Sequence, residues 1–369
     1  MTELVAIDLA GGPGFVDAVR RVWDSGDAVL PLDPRLPRSW SRNVLTALRP
    51  TAIIESDGSR RRLDGDPCED GDAAVIATSG TTGMPKGVVL THDALQFAAF
   101  ASTTYLGVEA DATWLACLPL HHIGGFSVIV RALVTGSGLV VHPRFDAADV
   151  ELAALAGATH VSLVPTTLRR IDPSLFRRVL LGGSAIPDDR PANCVATYGM
   201  TESGAGVVYD GLPLNGVGLR IDHDGGISIS GPTMLRCYRD GTDPLDSDGW
   251  YRTGDVGSVD PTTGRLTVAG RADDLIISGG ENVWPDPVER LLTADARVAE
   301  AAVVGRPHAE WGQQVTAVIV PTDPDDLPPL EALRDLVRAE LPAWCAPGAV
   351  EFAPSLPRTP LGKLRRREI

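Results

Sequence analysis

The feature that most constrains the fold is an alternation, from residue 73 to residue 181, of short apolar runs with stretches of helical spacing. The apolar runs are Ala74–Ala77, Val88–Leu90, Trp114–Leu118, Gly138–Val141, His160–Val164 and Val179–Leu181. Asp93 to Tyr105 is predicted as a helix, with Thr91 as its N-cap. Such alternation is typical of α/β layers built on a largely parallel sheet.

The regions on either side have different patterns. Residues 1–72 predict a short αβ opening, with a helix from Phe15 to Trp23, a strand at Thr51–Ile54 and a polar loop over 57–72. Residues 215–270 alternate at period two between turn-rich segments, which predicts a small antiparallel β region.

The C-terminal part predicts a small α+β domain. Its expected elements are a helix at Asp286–Leu292, strands at Ala301–Val304 and Val315–Val320, a helix at Leu330–Leu341 and a last strand at Val350–Phe352. We therefore divide the chain into a large N-terminal domain, residues 1–272, and a C-terminal domain, residues 273–369.

Composition narrows the class of protein. The chain has 369 residues and a formal net charge of −15, which makes a general nucleic-acid binder unexpected because such proteins present a basic face to phosphate. The five cysteines are scattered and lack metal-site or disulfide-framework spacing. The N-terminus has no signal-peptide pattern, and no apolar run reaches the roughly 18 residues of a membrane span. We therefore expect a cytoplasmic protein with no membrane span.

The strongest chemical signal is the loop from Thr78 to Lys86, which follows a predicted strand. Its glycines allow close approach of backbone N–H groups to an anion, its hydroxyls add donors, and its lysine adds a positive charge. A functionless glycine-rich turn would explain the glycines but not the hydroxyls. Pro85 before the lysine and Gly87 after it exclude a Walker A loop. The candidate nucleotide-binding residues here are Thr78, Ser79, Gly80, Thr81, Thr82, Gly83 and Lys86.

This loop resembles the phosphate loop of the adenylate-forming superfamily, which includes acyl- and aryl-CoA synthetases, peptide-synthetase adenylation domains and beetle luciferases. Thr197–Glu202 resembles the superfamily's nucleotide and metal motif, and Leu181–Ala185 its adenine pocket. The resemblance implies that Tyr198 stacks on adenine, that Thr201 meets the α-phosphate and that Glu202, with Thr78, holds Mg²⁺. The further nucleotide contacts that it implies are Gly182, Gly183, Ser184 and Gly199. Taken alone, each segment is equally typical of a strand-end turn.

Three later segments resemble superfamily motifs in the same order. Asp255 corresponds to the carboxylate that accepts bonds from the ribose hydroxyls, and Arg271 to a ribose and phosphate contact. Asp273 would be the hinge of a mobile C-terminal domain. The pair Gly279 and Gly280 would line the CoA thiol channel. Lys363, which is otherwise read as part of a solvated tail, would stabilise the attack on the α-phosphate.

The resemblance implies a fold with a large layered αβ domain followed by a small mobile α+β domain. It also implies an activity, that of an ATP-dependent acid–CoA ligase. The acid would first react with ATP to give an acyl-adenylate and pyrophosphate, and a thiol would then displace AMP. ATP, Mg²⁺ and CoA are the implied cofactors and partners, and a homodimer is left open. The implied catalytic residues are Lys363, Thr201, Glu202 and His122.

The segment Leu118–Gly125 corresponds to the wall of the acyl pocket, where His122 would gate the acid. The implied pocket residues are His121, His122, Gly124, Arg131 and Arg144, the arginines being candidates for binding a second carboxylate. A histidine pair at a strand end is equally often a plain turn, and the arginines could lie on the surface.

The region before the phosphate loop is abridged, and with the segments His121–Gly125 and Ser278–Asn282 the chain resembles the short o-succinylbenzoate–CoA ligases of actinobacterial menaquinone biosynthesis. The alternatives are another aryl- or acyl-CoA synthetase, an enzyme that loads a carrier protein, and a catalytically silent homologue.

Overall fold

The computed structural model describes residues 2–79, 85–184, 186, 189–358 and 364–369. The chain divides into two compact units, Met1–Leu219 with Ile229–Tyr251, and Arg220–Ser228 with Arg252–Ile369. None of the helices in the described ranges is long and apolar enough to cross a membrane. The domain boundary predicted between residues 272 and 273 stays a prediction.

From residue 85 to residue 181 the strands alternate with helices, as the apolar pattern predicts for this part of the chain. The strands up to residue 238 are β1 (Leu4–Ile7), β2 (Ala28–Pro31), β3 (Ala52–Ile54), β4 (Arg60–Arg62), β5 (Asp72–Ser79), β6 (Pro85–Thr91), β7 (Thr113–Ala116), β8 (Gly138–Val141), β9 (His160–Leu163), β10 (Arg178–Leu181), β11 (Cys194–Met200), β12 (Ala205–Tyr209), β13 (Leu212–Pro213), β14 (Gly218–Ile221), β15 (Gly226–Ser230) and β16 (Cys237–Tyr238). The helices are α1 (Pro13–Asp24), α2 (Arg38–Leu48), α3 (His92–Leu106), α4 (Ile123–Thr135), α5 (Ala147–Leu155) and α6 (Pro165–Leu168).

Within the described residues, the first unit holds two seven-stranded sheets. Their orders are β16-β6-β5-β2-β1-β3-β4 and β13-β12-β11-β10-β9-β7-β8. In the second sheet the strands from β7 to β11 are parallel, whereas β12 and β13 are antiparallel additions. The predicted layered αβ architecture is therefore confirmed. Parallel strands place their carboxyl ends at one edge of the sheet, where ligands commonly bind.

Helices pack against the sheets of the first unit and bury apolar side chains on both. Helix α3 begins at the predicted cap, where Thr91 Oγ1 accepts a hydrogen bond of 3.1 Å from the Ala94 backbone N–H. The core of the second sheet is formed by fully buried strand residues, among them Leu115, Val161 and Val179. Buried apolar side chains of this size each contribute roughly 1.5–3 kcal/mol.

One strand lies where a loop was expected. Residues 57–72 are polar, yet Arg60–Arg62 forms the exposed edge strand β4, antiparallel to β3. Arg60 and Arg62 pair with Glu3, so charge pairing and backbone hydrogen bonds replace apolar burial there. An exposed strand of this kind has no hydrophobic period, and the sequence pattern therefore missed it.

The remaining elements match the predicted small β region and α+β region. They are β17 (Tyr251–Val259), β18 (Leu266–Arg271), β19 (Ile276–Ser278), β20 (Glu281–Val283), β21 (Val298–His308), β22 (Gly312–Pro321) and β23 (Ala349–Phe352), with α7 (Pro285–Leu292) and α8 (Leu330–Glu340). One four-stranded sheet has the order β14-β15-β17-β18, and a five-stranded sheet has the order β20-β19-β22-β21 with β23 beside β22. Val288, Val303 and Leu333 belong to the core between the latter sheet and its helices.

A buried ion pair connects β5 to the residues just before β16. The Asp72 carboxylate is fully buried, and Arg236 donates to both of its oxygens, from Nε and from Nη2, at 2.8 Å each. Arg236 also reaches Glu69 at 2.8 Å. The two residues of the main pair are 164 positions apart in the chain, so this contact fixes a long-range arrangement.

We expect Arg236→Met to lower the free energy of unfolding by about 3 kcal/mol, because the Asp72 carboxylate would stay buried without its cation. Chemical denaturation measures this difference. Arg177→Met is the matched control, since Arg177 and Asp111 form an exposed pair, and its effect should stay below about 1 kcal/mol. Equal losses in the two variants would contradict the expectation.

Candidate active site

The stem of the predicted phosphate loop is a hairpin in the first unit. Strands β5 and β6 are antiparallel, with Thr78 opposite Lys86, and Thr78 Oγ1 donates a hydrogen bond of 3.3 Å to the Lys86 backbone oxygen. Ser79 ends β5. The predicted loop residues Gly80, Thr81, Thr82 and Gly83 lie outside the described residues. The hairpin thus brings the two ends of the predicted loop to the same edge of the sheet.

The Lys86 ammonium group lies over an aromatic ring that the sequence analysis did not single out. Its Nζ is 3.9 Å from the centroid of Tyr238. The register explains this contact, because Tyr238 pairs with Val88 across β16 and β6, and Lys86 is two residues from Val88 on the same face. A cation over an aromatic face is attracted by the ring quadrupole, which holds the long lysine side chain in place.

The same tyrosine contacts the predicted metal carboxylate. The Tyr238 hydroxyl donates a hydrogen bond of 3.0 Å to Glu202 Oε1 and lies 3.3 Å from the Tyr251 hydroxyl. Burial, together with the nearby Glu202 charge, raises the pKa of Tyr238, so its hydroxyl stays a neutral donor. Lys86 and Glu202, predicted separately, are therefore joined through one side chain. The two-residue strand β16 carries no periodic signal that could have identified it.

Two predicted nucleotide segments lie side by side at the carboxyl ends of β10 and β11. Thr197 Oγ1 donates a hydrogen bond of 2.9 Å to the Leu181 backbone oxygen. The segment Gly182–Ser184 follows β10, while Tyr198 and Gly199 lie in the last part of β11 and Thr201 follows it. A Cβ atom at Gly199 would lie 2.2 Å from the Ala205 backbone oxygen, so only glycine fits this close approach.

The histidine pair is supported from the abridged N-terminal region. His121 Nδ1 lies 3.4 Å from Asp33 Oδ2, and its ring contacts those of Trp40 and His122 with centroids 5.4 and 3.9 Å apart. Among the described residues, Nε2 of each histidine is buried without a hydrogen-bond partner. Asp33 and Trp40 are supporting residues that the sequence analysis missed, because nothing in the sequence relates them to residue 121.

The charges around this pair are set by burial and by hydrogen bonds. Burial, reinforced by His121, lowers the pKa of His122 to about 3, so its ring is neutral at physiological pH. Burial alone would raise the pKa of Asp33, but hydrogen bonds from Arg35 outweigh it and hold that pKa well below its ordinary value. The cluster therefore contains an ionised carboxylate paired with Arg35 and a neutral imidazole at His122.

The two candidate arginines lie toward opposite ends of the neighbouring strands β7 and β8, Arg131 in helix α4 and Arg144 after β8. Arg131 is 4% exposed, its Nε donates to Ser102 Oγ at 3.0 Å, and its guanidinium lies 5.0 Å from the ring of Trp114, near the amino end of β7. Arg144 is exposed and follows the carboxyl end of β8, the parallel neighbour of β7. Gly124 lies in the first turn of α4. Since the histidine pair follows β7, Arg144 lies at the same edge of the sheet as the pair.

The second unit brings together the predicted ribose carboxylate and one of its predicted neighbours. Asp255 and Arg271 are opposite each other across β17 and β18, and their side chains are 3.3 Å apart. The Asp255 backbone N–H donates to Thr253 Oγ1 at 3.0 Å. Asp273 lies in the short 3₁₀ helix Ala272–Asp274 that follows. Their predicted roles in ribose binding and hinge motion stay predictions.

The glycine pair of the predicted thiol channel has a local structural role. Gly279 and Gly280 form the two-residue connection between β19 and β20, with φ values of +60° and +87°. A two-residue hairpin with positive φ at both positions strongly favours glycine. Their role in the thiol channel stays a prediction. Lys363 lies outside the described residues.

The polar groups fit a magnesium ion that is shared with a nucleotide. In the described parts of the chain no three His, Cys, Asp or Glu side chains could hold a metal together. Magnesium bound through substrate phosphates needs only one or two carboxylates. Glu202 meets this requirement, because its hydrogen bond to Tyr238 uses Oε1 and leaves the second carboxylate oxygen.

Two family models match the chain, that of AMP-binding enzymes over residues 55–238 and that of the AMP-binding enzyme C-terminal domain over residues 287–363. A probable 2-succinylbenzoate–CoA ligase of Mycobacterium tuberculosis is 38% identical over 328 residues, which cover 82% of this chain and 85% of the relative. The 2-succinylbenzoate–CoA ligase of Bacillus cytotoxicus is 35% identical over 335 residues, covering 80% and 69% of the two chains.

The chain is also similar to solved structures of o-succinylbenzoate CoA synthetase. The o-succinylbenzoate CoA synthetase of Bacillus subtilis in complex with its acyl-adenylate intermediate matches with a TM-score of 0.88 and 28% identity, covering 99% of this chain and 87% of that one. The same enzyme in complex with ATP and a magnesium ion matches with a TM-score of 0.86 and 28% identity, covering 99% and 89%. These matches confirm the resemblance predicted from the motifs: the chain belongs to the adenylate-forming family of AMP-binding enzymes.

Proposed function

We propose that this chain is an ATP-dependent 2-succinylbenzoate–CoA ligase of menaquinone biosynthesis. It converts 2-succinylbenzoate, ATP and CoA into 2-succinylbenzoyl-CoA, AMP and pyrophosphate. The observation that carries the reaction class is the junction of Lys86 and Glu202 through Tyr238, since it joins a phosphate-binding cation to a metal-binding carboxylate. The similarity to the ligase of Mycobacterium tuberculosis supports the choice of acid.

The first half-reaction needs charge neutralisation and alignment. A carboxylate oxygen of the acid attacks the α-phosphorus of ATP, the bond to the β-phosphate oxygen breaks, and pyrophosphate leaves. Lys86 offsets the charge of the phosphates, Thr201 hydrogen-bonds the α-phosphate, and Lys363 stabilises the charge that develops during the attack. Glu202, with Thr78, would hold Mg²⁺, which when bound neutralises phosphate charge and orients the oxygens.

The second half-reaction uses a different set of groups. The CoA thiol loses its proton and attacks the acyl carbonyl, and AMP leaves with the electron pair of the broken bond. We infer that Asp255 and Arg271 hold the ribose and that the C-terminal domain turns about Asp273 between the half-reactions. A cytoplasmic location and a homodimeric state complete the proposal, and cell fractionation and light scattering test them.

The acid is tested by pyrophosphate release from ATP over a panel that contains 2-succinylbenzoate, benzoate, a cinnamate and a fatty acid, each with and without CoA. We expect 2-succinylbenzoate to give the highest kcat/KM, with CoA consumed in equal amount. A faster reaction with another acid would overturn the substrate assignment. Pyrophosphate release without CoA consumption would favour carrier loading, and no release with any acid would favour a silent homologue.

The second carboxylate of the substrate requires a cation, and the geometry favours Arg144 over Arg131. We expect Arg144→Ala to raise the KM for 2-succinylbenzoate about tenfold, which corresponds to about 1.4 kcal/mol, while the KM for ATP stays constant. Steady-state kinetics measure both constants. Arg131→Met is the comparison variant and should reduce thermal stability without changing the KM for the acid. The reverse result would assign the carboxylate to Arg131.

Lys363 should matter in only one half-reaction. We expect Lys363→Ala to slow acyl-adenylate formation at least 100-fold, because a charge-stabilising group is lost. Thioester formation from a supplied acyl-adenylate should change less than about threefold. Arg365→Ala is the control, since Arg365 forms an exposed pair with Glu368, and it should leave both rates unchanged. Equal losses of Lys363→Ala in both half-reactions would refute the role of the lysine.

A further inference from the structure

Tyr238 contacts two groups to which the proposed function gives different tasks. Its ring face lies under the Lys86 ammonium at 3.9 Å, and its hydroxyl bonds Glu202 at 3.0 Å. The side chain is 7% exposed, and all of these groups belong to the first unit. A buried tyrosine that only filled space would need one hydrogen-bond partner and no cation on its face.

The directions of the hydrogen bonds follow from the donor inventory. An ionised carboxylate can only accept, so the single proton of the Tyr238 hydroxyl points to Glu202. The Tyr251 hydroxyl, 3.3 Å away, must then donate to the Tyr238 oxygen. The two bonds run in sequence toward the carboxylate, and such chains strengthen by mutual polarisation.

Glu202 is held at both its backbone and its side chain by one short segment. Its backbone oxygen accepts a hydrogen bond of 2.8 Å from the Leu235 N–H, and its carboxylate accepts from Tyr238. Between these two residues, Arg236 is fixed by the buried Asp72. The segment 235–238 therefore holds Glu202 at two points.

We propose that Tyr238 is a positioning residue of the nucleotide site, whose hydroxyl orients the Glu202 carboxylate toward Mg²⁺ while its ring positions Lys86 for the phosphates. This inference rests on the proposed function for the identity of the nucleotide and the metal. The hydroxyl and the ring act on different ligands, so two substitutions separate their effects. A partner that fixes a metal-binding carboxylate typically changes metal affinity by 10- to 100-fold when it is removed.

The test is isothermal titration of ATP with and without Mg²⁺, without any acid present. Tyr238→Phe keeps the ring, so we expect ATP affinity without metal to stay constant and the gain in affinity on adding Mg²⁺ to fall about tenfold. Tyr238→Leu also removes the ring, so ATP affinity without metal should fall several-fold as well. Acyl-adenylate formation should require a higher Mg²⁺ concentration in Tyr238→Phe than in the wild type.

Tyr105→Phe is the matched control, because that hydroxyl donates to the Tyr209 backbone oxygen at 3.2 Å and its loss should leave Mg²⁺ dependence unchanged. Melting temperatures of all variants monitor folding. An unchanged Mg²⁺ gain in Tyr238→Phe, beside a reduced gain in Glu202→Gln, would overturn the positioning role and leave the proposed function standing. A wild-type protein that binds no ATP with Mg²⁺ would overturn both.

Discussion

The buried pair between Asp72 and Arg236 is the interaction on which the predicted nucleotide site of the first unit depends. It joins the start of the strand that leads into the predicted phosphate loop to the segment that carries Tyr238. An ion pair with a fully buried carboxylate contributes little net stability, because desolvation offsets much of the attraction, but its loss leaves a charge without a partner. Its main effect is therefore geometric: it fixes which two remote segments lie together.

The consequence is that charges of opposite sign are arranged around one neutral ring. The Lys86 ammonium lies on the ring face, while the Glu202 carboxylate lies at the hydroxyl, so each is bound by a different part of Tyr238. A direct ion pair between them would neutralise both and would leave neither for phosphate or metal. The intervening phenol contacts both groups without pairing them, so both charges would stay available for the proposed binding of a nucleotide and its cation.

The sequence predicted the helices and strands that show a hydrophobic periodicity and the motifs in which several polar functional groups lie close together. The strands from β5 to β10 follow apolar runs, and the cap of α3 follows from Thr91, whose side chain accepts from Ala94 as expected. Tyr238, Asp33 and Trp40 were missed because their importance arises from tertiary contacts with residues far along the chain. The edge strand β4 was missed for a different reason. It is made of exposed, ion-paired arginines and therefore has no apolar pattern from which a strand could be predicted. A glycine pair can have a structural role, a functional role or both. The positive φ values of Gly279 and Gly280 are explained by the hairpin alone, so their role in the thiol channel stays a prediction.

The electrostatics of the histidine cluster limit how it could recognise a dicarboxylic acid. The Asp33 carboxylate is already paired with Arg35, and burial keeps the His122 ring neutral, since its pKa falls to about 3. The His122 ring can therefore offer a hydrogen bond to a bound acid but no positive charge. A neutral imidazole suits an acyl group that becomes a mixed anhydride and then a thioester, neither of which carries the original carboxylate charge. In the proposed reaction the unreacted carboxylate of the acid would keep its charge through both steps, so a cation beyond His122 would be needed to pair with it. Along the edge formed by β7 and β8, the described residues supply such a group in Arg144, exposed and three positions beyond its strand.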